Sequence, residues 1–178
     1  GFHITGEHLR LAALAYAVEK DGNGHPLLLH ALRVMDSIAW DHPAAVSAQV
    51  TALFHDAIEA GTARLSNRRD VLYFEREADG IAVEAAVGLA LDAISRRTVP
   101  RYGTDQAPES YEDYIGRLCL DPLACFVKLY DLSDNMNATR LAALPPERAA
   151  KLLTRYAAAR KTIRKALSAA EKQGWEPT

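Results

Sequence analysis

The stretch Thr51-Ala-Leu-Phe-His-Asp-Ala-Ile-Glu-Ala-Gly61 places an imidazole and a carboxylate side by side in an otherwise apolar run. Its pattern reads as a buried helix over roughly 43–59, with Gly61 as a natural stop. Burying such polar groups without partners is costly, so His55 and Asp56 need a common partner, and a divalent metal is one. A metal needs more ligands than two neighbours supply. Two more candidates are polar residues set into helix-core runs: His30 in Pro26-Leu-Leu-Leu-His-Ala-Leu-Arg-Val34, and Asp131 in Phe126-Val-Lys-Leu-Tyr-Asp-Leu-Ser-Asp-Asn135. Taken singly, His30 also reads as a hydrogen-bonded core histidine and Asp131 as a polar tie between helices. Taken together, they offer two nitrogens and two oxygens from three helices. Such mixed ligation suits Mn²⁺, with Fe²⁺ or Zn²⁺ as alternatives, and manganese tolerates the carboxylate share well.

Working outward, the composition predicts an all-α fold. The chain has 178 residues, about half of them apolar and a quarter charged, which suits one globular domain over 1–178. Alanine is abundant and β-branched runs are scarce. Helices are expected near 7–20, from Pro26 to about 41, and over 43–59. A mixed, charged stretch follows from Thr62 to about Gly80, with a short helix around 69–77. Further helices are expected over 81–95 and 109–118, from Asp121-Pro122 through Asp131, and for about 25 residues from Pro145-Pro146. The last is basic on one side. Asp121 caps and Pro122 starts its helix. The sum is about seven helices and no sheet.

A net charge of -2 argues against a nucleic-acid-binding surface covering the molecule, though not against a local basic pocket. Cys119 and Cys125 have no finger or redox spacing and read as small core residues in a reducing compartment. No stretch has the length of a membrane span, and Gly1-Phe-His-Ile-Thr5 lacks signal-peptide organisation. The expectation is a cytoplasmic protein acting on a small molecule. His3, His8 and His42 read as surface residues.

The order H…HD…D is the signature of the HD-domain metal-dependent phosphohydrolases, and the chain resembles them. Gly24-His-Pro-Leu-Leu-Leu-His-Ala-Leu-Arg-Val-Met35 resembles the G-x-P-Y-I-x-H-P-L-x-V segment of the RelA/SpoT hydrolase domain and the single-domain small alarmone hydrolases. His55-Asp-Ala-Ile-Glu-Ala-Gly-Thr62 resembles their H-D-x-x-E-D-T, and Lys128-Leu-Tyr-Asp-Leu-Ser-Asp-Asn-Met136 their K-L-A-D-x-x-x-N-M. Glu109-Ser-Tyr-Glu-Asp-Tyr-Ile115 is similar to a segment of the bacterial stand-alone members.

The resemblance implies an HD helical bundle with one Mn²⁺ held between helices by His30, His55, Asp56 and Asp131. It implies removal of the 3′-pyrophosphate from guanosine 3′,5′-bispyrophosphate (ppGpp) or a related alarmone. Glu59 matches the acid that positions or deprotonates the attacking water, and helical i, i+4 spacing would set it on the face of His55. Asn135 matches a residue that contacts the nucleoside. Lys20 is the nearest counterpart of a base-stacking residue, offset by the turn at Asp21-Gly-Asn-Gly24. Arg96, Arg97 and Arg101 are candidates for gripping a pyrophosphate, because guanidinium matches phosphate bidentately.

The chain departs from the pattern at Ala60, where the family has a second acid, at Ala31 and at Leu27. The loss at Ala60 implies a lower rate on ppGpp unless Asp134 or an ordered water takes that role. Two alternatives therefore stay open. One is an HD phosphohydrolase acting on another nucleotide, such as an adenosine alarmone or a nucleoside phosphate. The other is a nucleotide-binding regulatory module that does not turn over.

Overall fold

The computed structural model describes residues 4–98 and 107–178. Among them the helices are α1 (Gly6–Ala15), α2 (Leu27–Asp41), α3 (Val46–Phe54), α4 (Ala85–Ile94), α5 (Tyr111–Leu118), α6 (Pro122–Asn135), α7 (Ala138–Ala142) and α8 (Pro146–Lys172). Between α3 and α4 lie three short strands, β1 (Arg64–Arg68), β2 (Val71–Arg76) and β3 (Asp79–Ala82), paired antiparallel in the order β1-β2-β3. The fold is therefore mostly helical with a small sheet, and the all-α expectation is corrected there.

The segment expected as a helix around 69–77 is a hairpin: Val71-Leu-Tyr-Phe74 is a short run of strand-favouring residues whose side chains go to alternate faces. Leu72 and Phe74 turn toward the helices, while Val71, Tyr73 and Glu75 take the other face. This period of two cannot make a helical stripe. Arg69 and Asp70 form the two-residue turn with positive φ at both positions. That geometry normally takes Asn-Gly or Asp-Gly, so the usual turn signal is missing here. Phe74 is fully buried and stacks on Phe54 with ring centroids 4.0 Å apart. Gly88 on α4 lets the helix approach β2, since a Cβ there would meet Leu72 Cδ2 at 1.9 Å.

Helix α3 is the central post. Ser47 through Phe54 are all buried, as expected of a helix enclosed on every side. Ala48 and Ala52 face one cluster with Ile38, Ile94, Leu118, Leu132 and Ile163. Val50, Leu53 and Phe54 face another with Leu11, Tyr16, Phe74 and Leu91. Packed against α2, α4 and α6, α3 ends at the point where those helices converge.

The cap expected at Asp121 is present, and the structure adds one at Ser110 that was not expected. Asp121 Oδ accepts from the Ala124 N–H at 2.8 Å with Pro122 in the first turn, and Ser110 accepts from the Asp113 N–H at 3.0 Å to start α5. Three boundaries differ from expectation. Helix α1 stops at Ala15, α3 at Phe54, and α4 begins at Ala85 after β3. The short α7 was not foreseen. No helix among the described residues is long and apolar enough to cross a membrane.

Candidate metal centre and its cleft

Helix α3 gives way to a turn just where the polar pair arrives. His55 is its C-cap, and residues 55–61 form successive turns ending at Gly61, with φ 76°. Tyr16, only 1% exposed, secures this end. Its hydroxyl donates to the Leu53 carbonyl at 2.9 Å and accepts the Asp56 N–H at 3.3 Å. Two backbone groups that a helix end leaves open are thereby satisfied. The unwinding frees His55 and Asp56 from the 100° separation of helical neighbours, and both reach one point. The expectation of an intact helix through Glu59 is corrected.

At that point the ring Nε2 atoms of His30 (α2) and His55 lie 3.2 Å apart. Asp131 Oδ1 (α6) sits 2.8 Å from the first and 3.3 Å from the second, and Asp56 Oδ2 lies 3.6 and 3.3 Å from them. His30, His55 and Asp56 form a group able to hold a metal ion, each offering a ligand atom within 4.8 Å of the others. All four sequence-derived ligands are thus brought together.

Hydrogen bonding on the far side of each ring shows what the near side wants. His55 Nδ1 is 2.6 Å from the Ala52 carbonyl, which can only accept, so Nδ1 carries the proton. His30 Nδ1 is 2.6 Å from Asp134 Oδ2 and donates in the same way. Neutral rings held so point two Nε2 lone pairs at each other and at a carboxylate. Three acceptors facing one another need a cation between them, and the donor set suits a divalent metal. Without metal, a proton answers the same need. Burial pushes His30 down, but the carboxylates of Asp131 and Asp134 outweigh it and raise its pKa to about 9. His55 is raised as well, its burial outweighed by Asp56 and Asp131. Burial opposes ionisation of Asp131, yet Lys128, His55 and His30 hold it well below the usual carboxylate range.

The centre opens into a cleft of about 280 Å³. Glu59 lines it, half-buried beside Asp56. Burial, followed by the Asp56 charge, raises its pKa, which favours a carboxylate able to take up a proton. Its place depends on the turn after α3, and not on the helical face it was expected to share with His55. Asn135 also lines the cleft. Its Nδ2 donates to Asp131 Oδ1 at 3.0 Å and its Oδ1 accepts from Arg140 at 3.0 Å, so it braces a ligand while facing the cavity.

Of the expected cationic contacts, Arg96 lines the cleft. Arg97 does not, and is turned to Asp92 at 3.7 Å. Arg101 lies outside the described residues. Lys20 is exposed and bridges Pro26 away from the cleft lining. Ala60 is exposed and does not line the cleft. Asp134 cannot stand in for an acid there, because its oxygens already serve His30, Arg33 and Arg140. His8, expected at the surface, is buried and hydrogen-bonds to Thr5; His42 is half-buried, and His3 lies outside the described residues.

Several residues of the site were missed. Lys128 Nζ holds Asp131 Oδ2 at 2.6 Å, a spacing of one helical turn that the sequence does display. Arg140 joins Asp134 at 2.6 Å to Asp21 at 3.1 Å, tying α7 and the 21–25 turn to the metal helices. No local pattern marks that tie, nor the arrival of Tyr111 and Arg155 at the cleft.

The chain was compared with protein-family models and with curated proteins, and neither comparison found a match. The functional reading therefore rests on the geometry and on the sequence motifs.

Proposed function

We propose that this chain is an HD-domain, metal-dependent pyrophosphohydrolase acting on a hyperphosphorylated nucleotide in the cytoplasm, with ppGpp as the leading substrate. The observation that carries the reading is the convergence of His30, His55, Asp56 and Asp131 at one point, with Glu59 in the same cleft. Those four residues would hold the ion, Mn²⁺ in the first instance. A divalent cation there supplies Lewis-acid polarisation of a phosphoryl oxygen and acidifies water.

The remaining chemistry belongs to the chain. Glu59, poised by its raised pKa, orients the attacking water and receives its proton. The water oxygen bonds to phosphorus, the ester P–O bond breaks, and the nucleoside oxygen leaves as an alcohol by taking up the proton that Glu59 received. Lys128 and Arg140, each already paired with a carboxylate, keep Asp131 and Asp134 ionised and so hold the ligands in register. Reactions of this class depend on positioning and charge neutralisation more than on covalent chemistry.

The test is a nucleotide screen with Mn²⁺ that follows phosphate and pyrophosphate release separately. Pyrophosphate released from ppGpp supports the reading. Turnover confined to adenosine alarmones or nucleoside monophosphates redirects it to another HD substrate. Tight binding with no turnover of any nucleotide leaves a regulatory module.

A further inference from the structure

The cations of the cleft are not equivalent. Lys128 is spent on Asp131, and Arg140 is spent on Asp134, Asn135 and Asp21. Among the described residues, the Arg96 side chain bonds through its Nε alone, which donates to the Glu109 carbonyl at 3.0 Å. Among the described residues, neither Arg96 nor Arg155 is paired with a carboxylate. Both instead flank one aromatic ring: Arg155 Cζ stands 4.3 Å and Arg96 Cζ 5.7 Å from the centroid of Tyr111. Cation–π contact orients a guanidinium while leaving its N–H groups free for an anion.

The ring adds an independent sign. Tyr111 Oη is shielded from solvent yet has no hydrogen-bond partner among the described residues. A buried tyrosine hydroxyl normally finds one. All three side chains line the cleft that holds Asp56, Glu59 and Asp131. Among the described residues, the Arg155 guanidinium, the terminal nitrogens of Arg96 and the Tyr111 hydroxyl are left without partners, and together they form the complement of a phosphate, separate from the residues expected to hold metal and water.

We propose that Arg96, Tyr111 and Arg155 form an anion clamp for the outer phosphate of a pyrophosphoryl group, so that the cleft selects pyrophosphoryl compounds over monophosphates. The proposal rests on the reading of this cleft as a phosphohydrolase site and specifies what that site prefers. With the reacting phosphorus at the ligand cluster, a monophosphate leaves the clamp empty. A linked second phosphate fills it.

The experiment is calorimetric titration of the full chain, loaded with Mn²⁺ and freed of excess ion, with methylenediphosphonate and with inorganic phosphate. The bridging carbon makes the first probe resistant to hydrolysis, so turnover is not the readout. Wild type should bind the diphosphonate at least ~10-fold more tightly than phosphate, since several charge-assisted hydrogen bonds are added. Tyr111→Phe should weaken the diphosphonate by roughly 10-fold or more, the worth of one such bond, and leave phosphate unchanged. Arg155→Ala, at an exposed position on α8, should remove most of the preference. Equal affinities for the two probes, or diphosphonate binding indifferent to both substitutions, overturns the clamp. Metal content measured on the same samples separates the two ideas. Clamp-dependent binding by a protein that retains no metal keeps the clamp and ends the hydrolase reading, while a metal-loaded protein indifferent to both substitutions ends the clamp alone.

Discussion

Asp134 Oδ2 lies 2.6 Å from His30 Nδ1, on the opposite side of the ring from Asp131, which approaches Nε2 at 2.8 Å. One helix, α6, therefore grips both edges of the α2 imidazole. Residues one turn apart divide the task, with Asp131 facing the centre and Asp134 fixing the tautomer from behind. Arg33 and Arg140 keep Asp134 ionised, at 2.8 and 2.6 Å. Its pKa lies below the usual carboxylate range because the bonds to His30 and Arg33 outweigh the opposing effect of burial.

Asp134→Asn is expected to lower metal affinity by roughly 10- to 100-fold without abolishing binding, as outer carboxylates on ligating histidines do. Titration with Mn²⁺ against a competing chelator measures this. Unchanged affinity would show that the His30 orientation is set by packing alone.

Removal of a ligand should be more severe. The purified protein is expected to hold about one divalent ion per chain, and His55→Ala or Asp131→Ala should eliminate it, because each removes a donor atom from the centre. Elemental analysis of the three proteins at neutral pH is the check. Stoichiometric ion retained by either variant contradicts the assignment.

Glu59 lines the cleft but lies outside the group of ligand atoms that converge. Glu59→Gln should therefore keep its metal and lose turnover by on the order of 10²-fold or more, the usual worth of a positioned base. Metal content and kcat on the same preparation distinguish this from ligation, in which case the metal would go and activity would return on remetallation.

Away from the centre, Arg117 grips Glu109 through two nitrogens, at 2.8 and 3.0 Å, while donating to the Ala93 and Ser95 carbonyls at the end of α4. This staple positions Arg96, whose Nε donates to the Glu109 carbonyl. The Arg117 guanidinium, opposed in part by burial, lowers the Glu109 pKa. A carboxylate with a lowered folded pKa stabilises above its unfolded value, and that contribution disappears as pH falls through the folded one. Glu109→Gln should thus cost about 1–2 kcal/mol at pH 7. The gap to wild type should shrink as pH drops below about 4, as measured by denaturant unfolding across pH. A gap independent of pH would mean that the amide loses packing and not charge.

Much of this was legible in the sequence because it is local. Helical propensity and apolar spacing announced α2, α5, α6 and α8, and the cap at Asp121 follows from residue type at a chain junction. The four ligands were legible because an ionisable side chain within an apolar run is conspicuous without any structure. The hairpin was not legible. Its alternation is short, its turn uses Arg69-Asp70 in place of glycine, and charged residues on its outer face obscure the period. Nor was the ending of α3 before His55, which depends on Tyr16 reaching across from beyond the end of α1 to the Leu53 carbonyl and Asp56 N–H. Arg140 and Arg155 carried no signal, since an arginine on a polar helix reads as solvated until tertiary packing sets it beside a cleft. The sequence by itself determined which residues are chemically able to hold a metal, through composition and local pattern. Only the tertiary structure decided which acids orient the ligands and which cations remain unspent, because pairing between α2, α6, α7 and α8 depends on distances between residues far apart in the chain.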